Sequence, residues 1–267
     1  MSTARAFTPR FQPRETLLCL HCSGSSGRQW TPMIAALSAR FDVKAPDLLG
    51  YAGQVCWAVG APASLDDEAV ALEPLLEGGV HLFGHSYGGA VALQMALRWP
   101  ERVKSLTLYE PVRFALLFGN PETASAGQSI VDVGRRIGLE VVSRLMPAAA
   151  ARFVDYWSGE GTWQQLPPQR QQIVIERMPK VSAEFEALFA DRVPASAYER
   201  LSMPVHLIGG SRSPLPARQV LDILAAHIPH ATRVALQGLG HMGPVEAPQR
   251  VLEAAELLGD AEIRQAA

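Results

Sequence analysis

The chain has 267 residues, 48% of them hydrophobic and 19% charged, with a formal net charge of -2. That length can bury one sizeable core with room for an inserted subdomain, and the composition is that of an ordinary soluble globular protein. The near-neutral charge offers no general attraction for phosphate backbones or acidic membranes, so no nucleic-acid partner is expected, and no apolar run reaches the roughly 18 residues of a membrane span.

The N-terminal stretch MSTARAFTPRFQPRE lacks the continuous apolar segment of a signal peptide. Three cysteines are an odd number for a disulfide framework, which makes the cytoplasm the expected compartment. The first strong strand-like run is TLLCLHCSGSS from Thr16, and a weaker one covers Phe41 to Ala45. SLDDEAVALEPLLE then reads as a helix with Ser64 as N-cap and Asp67 three residues on, shortened or kinked at Pro74. Two further runs, GVHLFGHSYGG from Gly79 and VKSLTLYEP from Val103, flank the helical stretch YGGAVALQMALRW, which Pro100 stops. After a long gap comes PVHLIGGSRSP from Pro204, then the amphipathic helix ARQVLDILAAHI, a weak strand from Thr232 to Leu236 and the helix PQRVLEAAELL.

Short, nearly continuous apolar runs are the mark of strands buried on both faces of a parallel sheet. Their alternation with helices implies a doubly wound α/β fold. From 111 to 200 no confident strand occurs, while helical pieces, prolines and aromatics dominate. We read residues 111–200 as a helical insertion over a core formed by 1–110 and 201–267.

GHSYG, Gly84 to Gly88, fits G-x-S-x-G between a strand and a helix. Such a sharp turn needs glycines, and it lifts a serine hydroxyl to the sheet edge where ligands bind. Ser86 is therefore the candidate nucleophile; the plain alternative is a tight turn whose serine caps a helix. A serine hydroxyl needs a base. Of seven histidines, His81 and His206 fall inside strands as expected core residues, and His85 should point away from the hydroxyl. His227 and His230 flank a helix end, and His21 is expected to brace the loop after the first strand. His241, in the loop GLGHMG after the last strand, remains.

HCSGSSGRQW, DLLGYAG, GHSYGG and GLGHMGPVEAP together resemble the α/β-hydrolase superfamily, in the group with a helical cap, over nearly the whole length. The resemblance implies the α/β-hydrolase fold and places the base at His241. An oxyanion hole needs two N–H donors. One is expected from Tyr87, next to the nucleophile, and the resemblance puts the other at Ser23. His21-Cys22 stands where the superfamily usually has His-Gly. Cys19 and Cys22 also form a C-x-x-C pattern, open to a redox or zinc reading, but Cys19 lies within a strand and no second cysteine pair exists.

The superfamily's acid usually follows the strand that here ends at Gly209, where this chain has Ser213; Asp222 is expected on a helix surface. The other slot known in the superfamily lies one strand earlier, and there LTLYEPV places Glu110 at the strand's end, the expected acid of the triad. Neighbouring strands are about 4.8 Å apart, so the shift keeps an acid near the imidazole. Two alternatives stay open: Glu110 paired with Arg113, and Asp47 as the acid rather than a loop-shaping residue.

Phe114, Phe118, Phe153, Tyr156, Trp157 and Trp163 are insertion aromatics that either line an apolar pocket or form the insertion's own core. Trp157, Trp163, Phe114 and Met242 are the expected pocket residues. Arg113, Arg135, Arg136 and Arg144 either receive a substrate carboxylate or are solvated. No phosphate loop, metal cluster or cofactor signature is present, so no metal or cofactor is expected. The expectation is a serine hydrolase acting on a carboxylic ester or similar small acyl compound. The same machinery would serve carbon–carbon hydrolysis, thioester hydrolysis or acyl transfer, and the fold alone would serve a ligand-binding protein.

Overall fold

Among the described residues the sheet is built of six parallel strands in the order β2-β1-β3-β4-β5-β6. The computed structural model describes residues 14–51, 57–58 and 60–256; the N-terminal stretch, Ala52, Gly53 and Cys56, and the end of the last expected helix lie outside them. The strands are β1 (Glu15–Leu20), β2 (Phe41–Lys44), β3 (Val80–His85), β4 (Val103–Tyr109), β5 (Val205–Gly210) and β6 (Thr232–Leu236). The helices are α1 (Thr31–Leu37), α2 (Leu65–Leu72), α3 (Tyr87–Arg98), α4 (Pro121–Val142), α5 (Met146–Ser158), α6 (Thr162–Gln165), α7 (Pro168–Ala190), α8 (Leu215–His227), α9 (Gly243–Glu246) and α10 (Pro248–Ala254). This is the doubly wound α/β arrangement that the strand–helix alternation implies.

Successive side chains of a strand point to opposite faces, and the core divides accordingly. Leu18 and Leu20 of β1, with Leu82 and Leu106, pack against α2, α3 and α8. Leu17 and Cys19, with Phe83 and Ile208, pack against Trp30, Met33 and Leu37 around α1 and against Val251 and Leu252 of α10. A strand buried on both faces has no polar side to show, which is why these runs read as continuous apolar stretches. His81 and His206 depart from the expected core placement. Both are only half-buried, His81 bonded to Ser105 and Glu15 and His206 to Thr232.

Ser64 caps α2 as expected, its side chain accepting from the Asp67 N–H at 3.2 Å, and α2 gives way to a 3₁₀ turn at Glu73, just before Pro74. Helices α4 to α7 all lie between β4 and β5, and no strand occurs among the described residues there. Arg113, at the exit of β4, is wholly buried and pairs with Asp191 at the end of α7, 2.8 Å away. It is neither a surface cation nor a partner of Glu110. Arg135, Arg136 and Arg144 are exposed.

The strand order steps outward from β1 to β2 on one side and to β3 on the other. In open α/β sheets the crevice at such a switch point is where ligands bind. Here it lies between the loops that follow β1 and β3.

Candidate active site

Ser86 sits in the turn between β3 and α3 with φ 56° and ψ -120°, a backbone conformation that few non-glycine residues adopt. The glycines around it make that turn possible. A Cβ on Gly88 would fall on the carbonyl oxygens of Leu20 and His21, and one on Gly84 would strike the backbone of Gly89. The hydroxyl emerges at the C-terminal edge of the sheet in a residue that is 5% exposed.

His241 reaches that hydroxyl from the loop between β6 and α9. Its Nε2 lies 2.9 Å from Ser86 Oγ, and its Nδ1 lies 2.6 Å from Glu110 Oε2. Both distances are hydrogen bonds of ordinary or short length. Glu110 follows β4 directly, with φ 47°, and is fully buried. Its second oxygen accepts from the Gly210 N–H at 2.6 Å and from the Ser213 hydroxyl at 2.5 Å. A carboxylate thus crosses from the end of β4 to the end of β5, where Ser213 and Gly210 hold it from the position that an acid on β5 would fill. The crossing needs Gly209: a Cβ there would stand 3.0 Å from Glu110 Oε1 and run into Leu221. Asp47 is occupied elsewhere, accepting from the Gly27 N–H at 2.7 Å, and Asp222 is exposed and paired with Arg233.

A second hydrogen-bond chain braces His241 from behind. The Cys22 N–H donates to Gln29 Oε1 at 3.1 Å, and the Gln29 amide donates to His85 Nδ1 at 2.9 Å. His85 Nε2–H is then left to donate to the His241 carbonyl, also at 2.9 Å. Burial holds the His85 imidazole well below its usual range, so it stays neutral in this chain. The Tyr109 hydroxyl donates to the neighbouring Gly240 carbonyl at 2.7 Å. Trp157 from α5 covers the imidazole on the open side, ring centroids 4.0 Å apart. Gln29, His85 and Tyr109 had no signal in the sequence beyond their nearness to the motifs.

On the other flank of Ser86, His21 links the loop after β1 to the loop after β2. Its Nδ1–H donates to the Cys22 carbonyl at 2.8 Å and its Nε2 accepts from the Leu48 N–H at 3.0 Å. Burial lowers its pKa to about 4, so it braces as a neutral ring. The N–H groups on either side of Ser23 are engaged, Cys22 with Gln29 and Gly24 with the Tyr51 hydroxyl at 2.8 Å. That of Ser23 makes no hydrogen bond among the described residues. The Tyr87 N–H opens α3 and has no partner within its helix. Burial pushes the Cys22 thiol up to about 12 and Cys19 higher, the opposite of a reactive thiolate.

Tyr51 ties this loop to α7 by donating to Glu184 Oε2 at 3.0 Å, beside a buried Lys180–Glu68 pair at 2.8 Å. Burial pushes the Glu184 carboxyl up from 4.5 to about 7, against the pull of the Lys180 ammonium 3.8 Å away. The folded chain then holds a proton that the unfolded chain has released, so this group withdraws stability as pH rises through that window. Urea midpoints measured from pH 4.5 to 7 are expected to fall less steeply for Glu184→Gln than for the unaltered chain. Parallel slopes would contradict the assignment.

A cavity of about 610 Å³ opens over Ser86 and His241, within the usual size for small-molecule sites. Trp157, Phe114 and Met242 line it, as does Phe153. Trp163 does not. Its backbone N–H donates to Asp155 at 2.8 Å, and the residue packs half-buried against the larger hydrophobic cluster. Phe118 is half exposed. A larger groove of about 700 Å³ beside α2 and the end of α7 is lined by no histidine or cysteine among the described residues.

The arrangement can be set beside known proteins. Lipase LipV of Mycobacterium tuberculosis is 38% identical over 99 residues, which is 36% of each chain, so the present chain spans about a third of that relative's length. The pimeloyl-[acyl-carrier protein] methyl ester esterase of Aliivibrio salmonicida is 30% identical over 237 residues, 84% of each chain. Among solved structures, a hydrolase from Pseudomonas aeruginosa superimposes with a TM-score of 0.74 at 23% identity, covering 92% of this chain and 90% of that one. The model of the Alpha/beta hydrolase family matches residues 17–254, nearly everything between the two ends of the described chain, and the chain belongs to that family.

Proposed function

We propose that the chain is a cofactor-independent serine hydrolase cleaving a carboxylic ester or similar small acyl substrate, with Ser86, His241 and Glu110 as its triad. The observation that carries this reading is the unbroken line from Ser86 Oγ through both imidazole nitrogens to a buried carboxylate, at 2.9 and 2.6 Å.

In this mechanism Ser86 Oγ attacks the acyl carbon while its proton passes to His241 Nε2. Glu110 keeps the proton on Nδ1, leaving Nε2 free to accept, and supports the imidazolium once it forms. Negative charge collects on the former carbonyl oxygen, where the Tyr87 and Ser23 N–H groups receive it. Collapse of the tetrahedral species expels the alkoxide, which takes the proton from Nε2 and leaves as the alcohol. A water then gives its proton to Nε2 and its oxygen to the acyl carbon. The second collapse releases the carboxylic acid and returns the proton to Ser86. Trp157 over the imidazole limits the water that reaches the base from that side.

Carbon–carbon or thioester cleavage and acyl transfer would use the same steps with another leaving group or acceptor. The test is hydrolysis of a chromogenic short-chain ester with a chelator present and no added cofactor. Steady turnover is expected, and a protein that binds esters without cleaving them would overturn the proposal.

Ser213 permits a finer test. Its hydroxyl donates to a buried carboxylate, an interaction of about 1.5–3 kcal/mol. If about half of that is felt in the transition state, Ser213→Ala lowers kcat about tenfold. An unchanged kcat would show that Gly210 alone holds Glu110 in place.

A further inference from the structure

The walls of the cavity over Ser86 are unevenly charged. Arg28, Arg170 and Arg177 line it, and no aspartate or glutamate does among the described residues. Three formal positive charges therefore line one cavity of a chain whose net charge is -2.

Two of the three come from one helix face. Arg170, Ile173, Val174 and Arg177 all line the cavity, the i, i+3, i+4, i+7 spacing of a single stripe on α7. Seven residues place the two arginines about 10 Å apart along the axis, with apolar side chains between them. Arg177 lies at the oxyanion loop, donating to the Gly24 carbonyl at 2.8 Å and lying over the Tyr51 ring. Arg170 and Arg28 are exposed, and neither guanidinium has a hydrogen-bond or ion-pair partner among the described residues. Arg136 and Arg144 are also exposed without a hydrogen-bond or ion-pair partner among the described residues, but they do not line the cavity, whereas the exposed Arg98 and Arg152 bond to carboxylates. Phe114, Phe185 and Leu188, all buried, give the cavity apolar lining.

We propose that this site takes an acyl substrate carrying an anionic group, a carboxylate or a phosphate, separated from the scissile carbon by an apolar stretch, and that Arg28 and Arg170 receive that anion. The proposal rests on the serine hydrolase reading and adds the substrate class. An arginine fork matches both anions bidentately. A positive rim on a low-dielectric cleft also raises the local concentration of an anion before it docks. An apolar acyl chain alone would leave both guanidinium groups with nothing but water.

The experiment compares three p-nitrophenyl esters of one chain length: hexanoate, the adipate monoester with a free carboxylate, and the 6-phosphonooxyhexanoate. The expected result is a higher kcat/KM for at least one anionic ester than for the neutral one, a preference that shrinks as salt rises from about 10 mM to about 1 M. Arg170→Gln and Arg28→Gln are each expected to lower the anionic-to-neutral ratio about fivefold, the scale of one exposed charge contact. Arg177 is left unaltered because it also holds Gly24. Which anionic ester leads separates a carboxylate from a phosphate ligand. Turnover of all three esters without preference, or a preference that both variants keep, overturns the proposal and leaves the hydrolase reading standing. A chain that cleaves none of them and takes no fluorophosphonate overturns both.

Discussion

Ser86→Ala is expected to lower turnover of a chromogenic short-chain ester by about a millionfold, the loss typical when one member of a serine triad is removed. The variant keeps the strained turn and its glycines, since alanine differs only by the hydroxyl, so folding is not at issue. What it loses is the atom 2.9 Å from His241 Nε2, and among the described residues no other hydroxyl or thiol bonds to that nitrogen. The remaining rate should come only from the oxyanion donors and binding, roughly a thousandfold or more over water. An alanine variant within tenfold of the unaltered protein would mean that another group performs the attack.

The second large effect is expected at Glu110. Glutamine in its place has nearly the same volume and should settle into the same pocket. There the Gly210 N–H and the Ser213 hydroxyl both donate to one carboxyl oxygen, so they will hold the amide oxygen on their side. The amide nitrogen must then face His241 Nδ1, presenting a donor where the carboxylate presented an acceptor. The ring answers by moving its proton to Nε2, the nitrogen that has to accept from Ser86. Rates should fall about ten-thousandfold with the fold intact, as wrong-tautomer substitutions do elsewhere. A Glu110→Gln enzyme near the original rate would remove this residue from the mechanism.

Much of this could be read from the sequence because it depends on local patterns. Continuous apolar runs mark the two-sided strands, and G-x-S-x-G marks the turn that exposes Ser86. A carboxylate at the end of a strand next to an empty slot drew attention to Glu110. The sequence could not show that Ser213, standing in that empty slot, would turn its hydroxyl to Glu110, because that depends on how β4 and β5 register. The Gln29–His85 chain was equally hidden: it joins residues 56 and 156 positions apart, and each looks like a filler beside a motif. Trp163 lies off the cavity in a helix of only four residues, its backbone N–H held by Asp155, a contact no local pattern announces. His81 and His206 sit in apolar runs, yet polar partners hold them half-exposed near the entry ends of β3 and β5. The arginine lining is not legible in the sequence because Arg28 lies about 140 residues before the other two, and only folding brings them to one cavity.

The claim on which all of this rests is that a carboxylate moved by one strand activates the serine. The most direct measurement is the rate at which a fluorophosphonate modifies the protein, because it reports the reactivity of the hydroxyl without any choice of natural substrate. The account predicts prompt modification confined to Ser86, and modification slower by several orders of magnitude in Glu110→Gln. An unmodified wild-type protein, or a Glu110→Gln variant modified as quickly as the wild type, would contradict it.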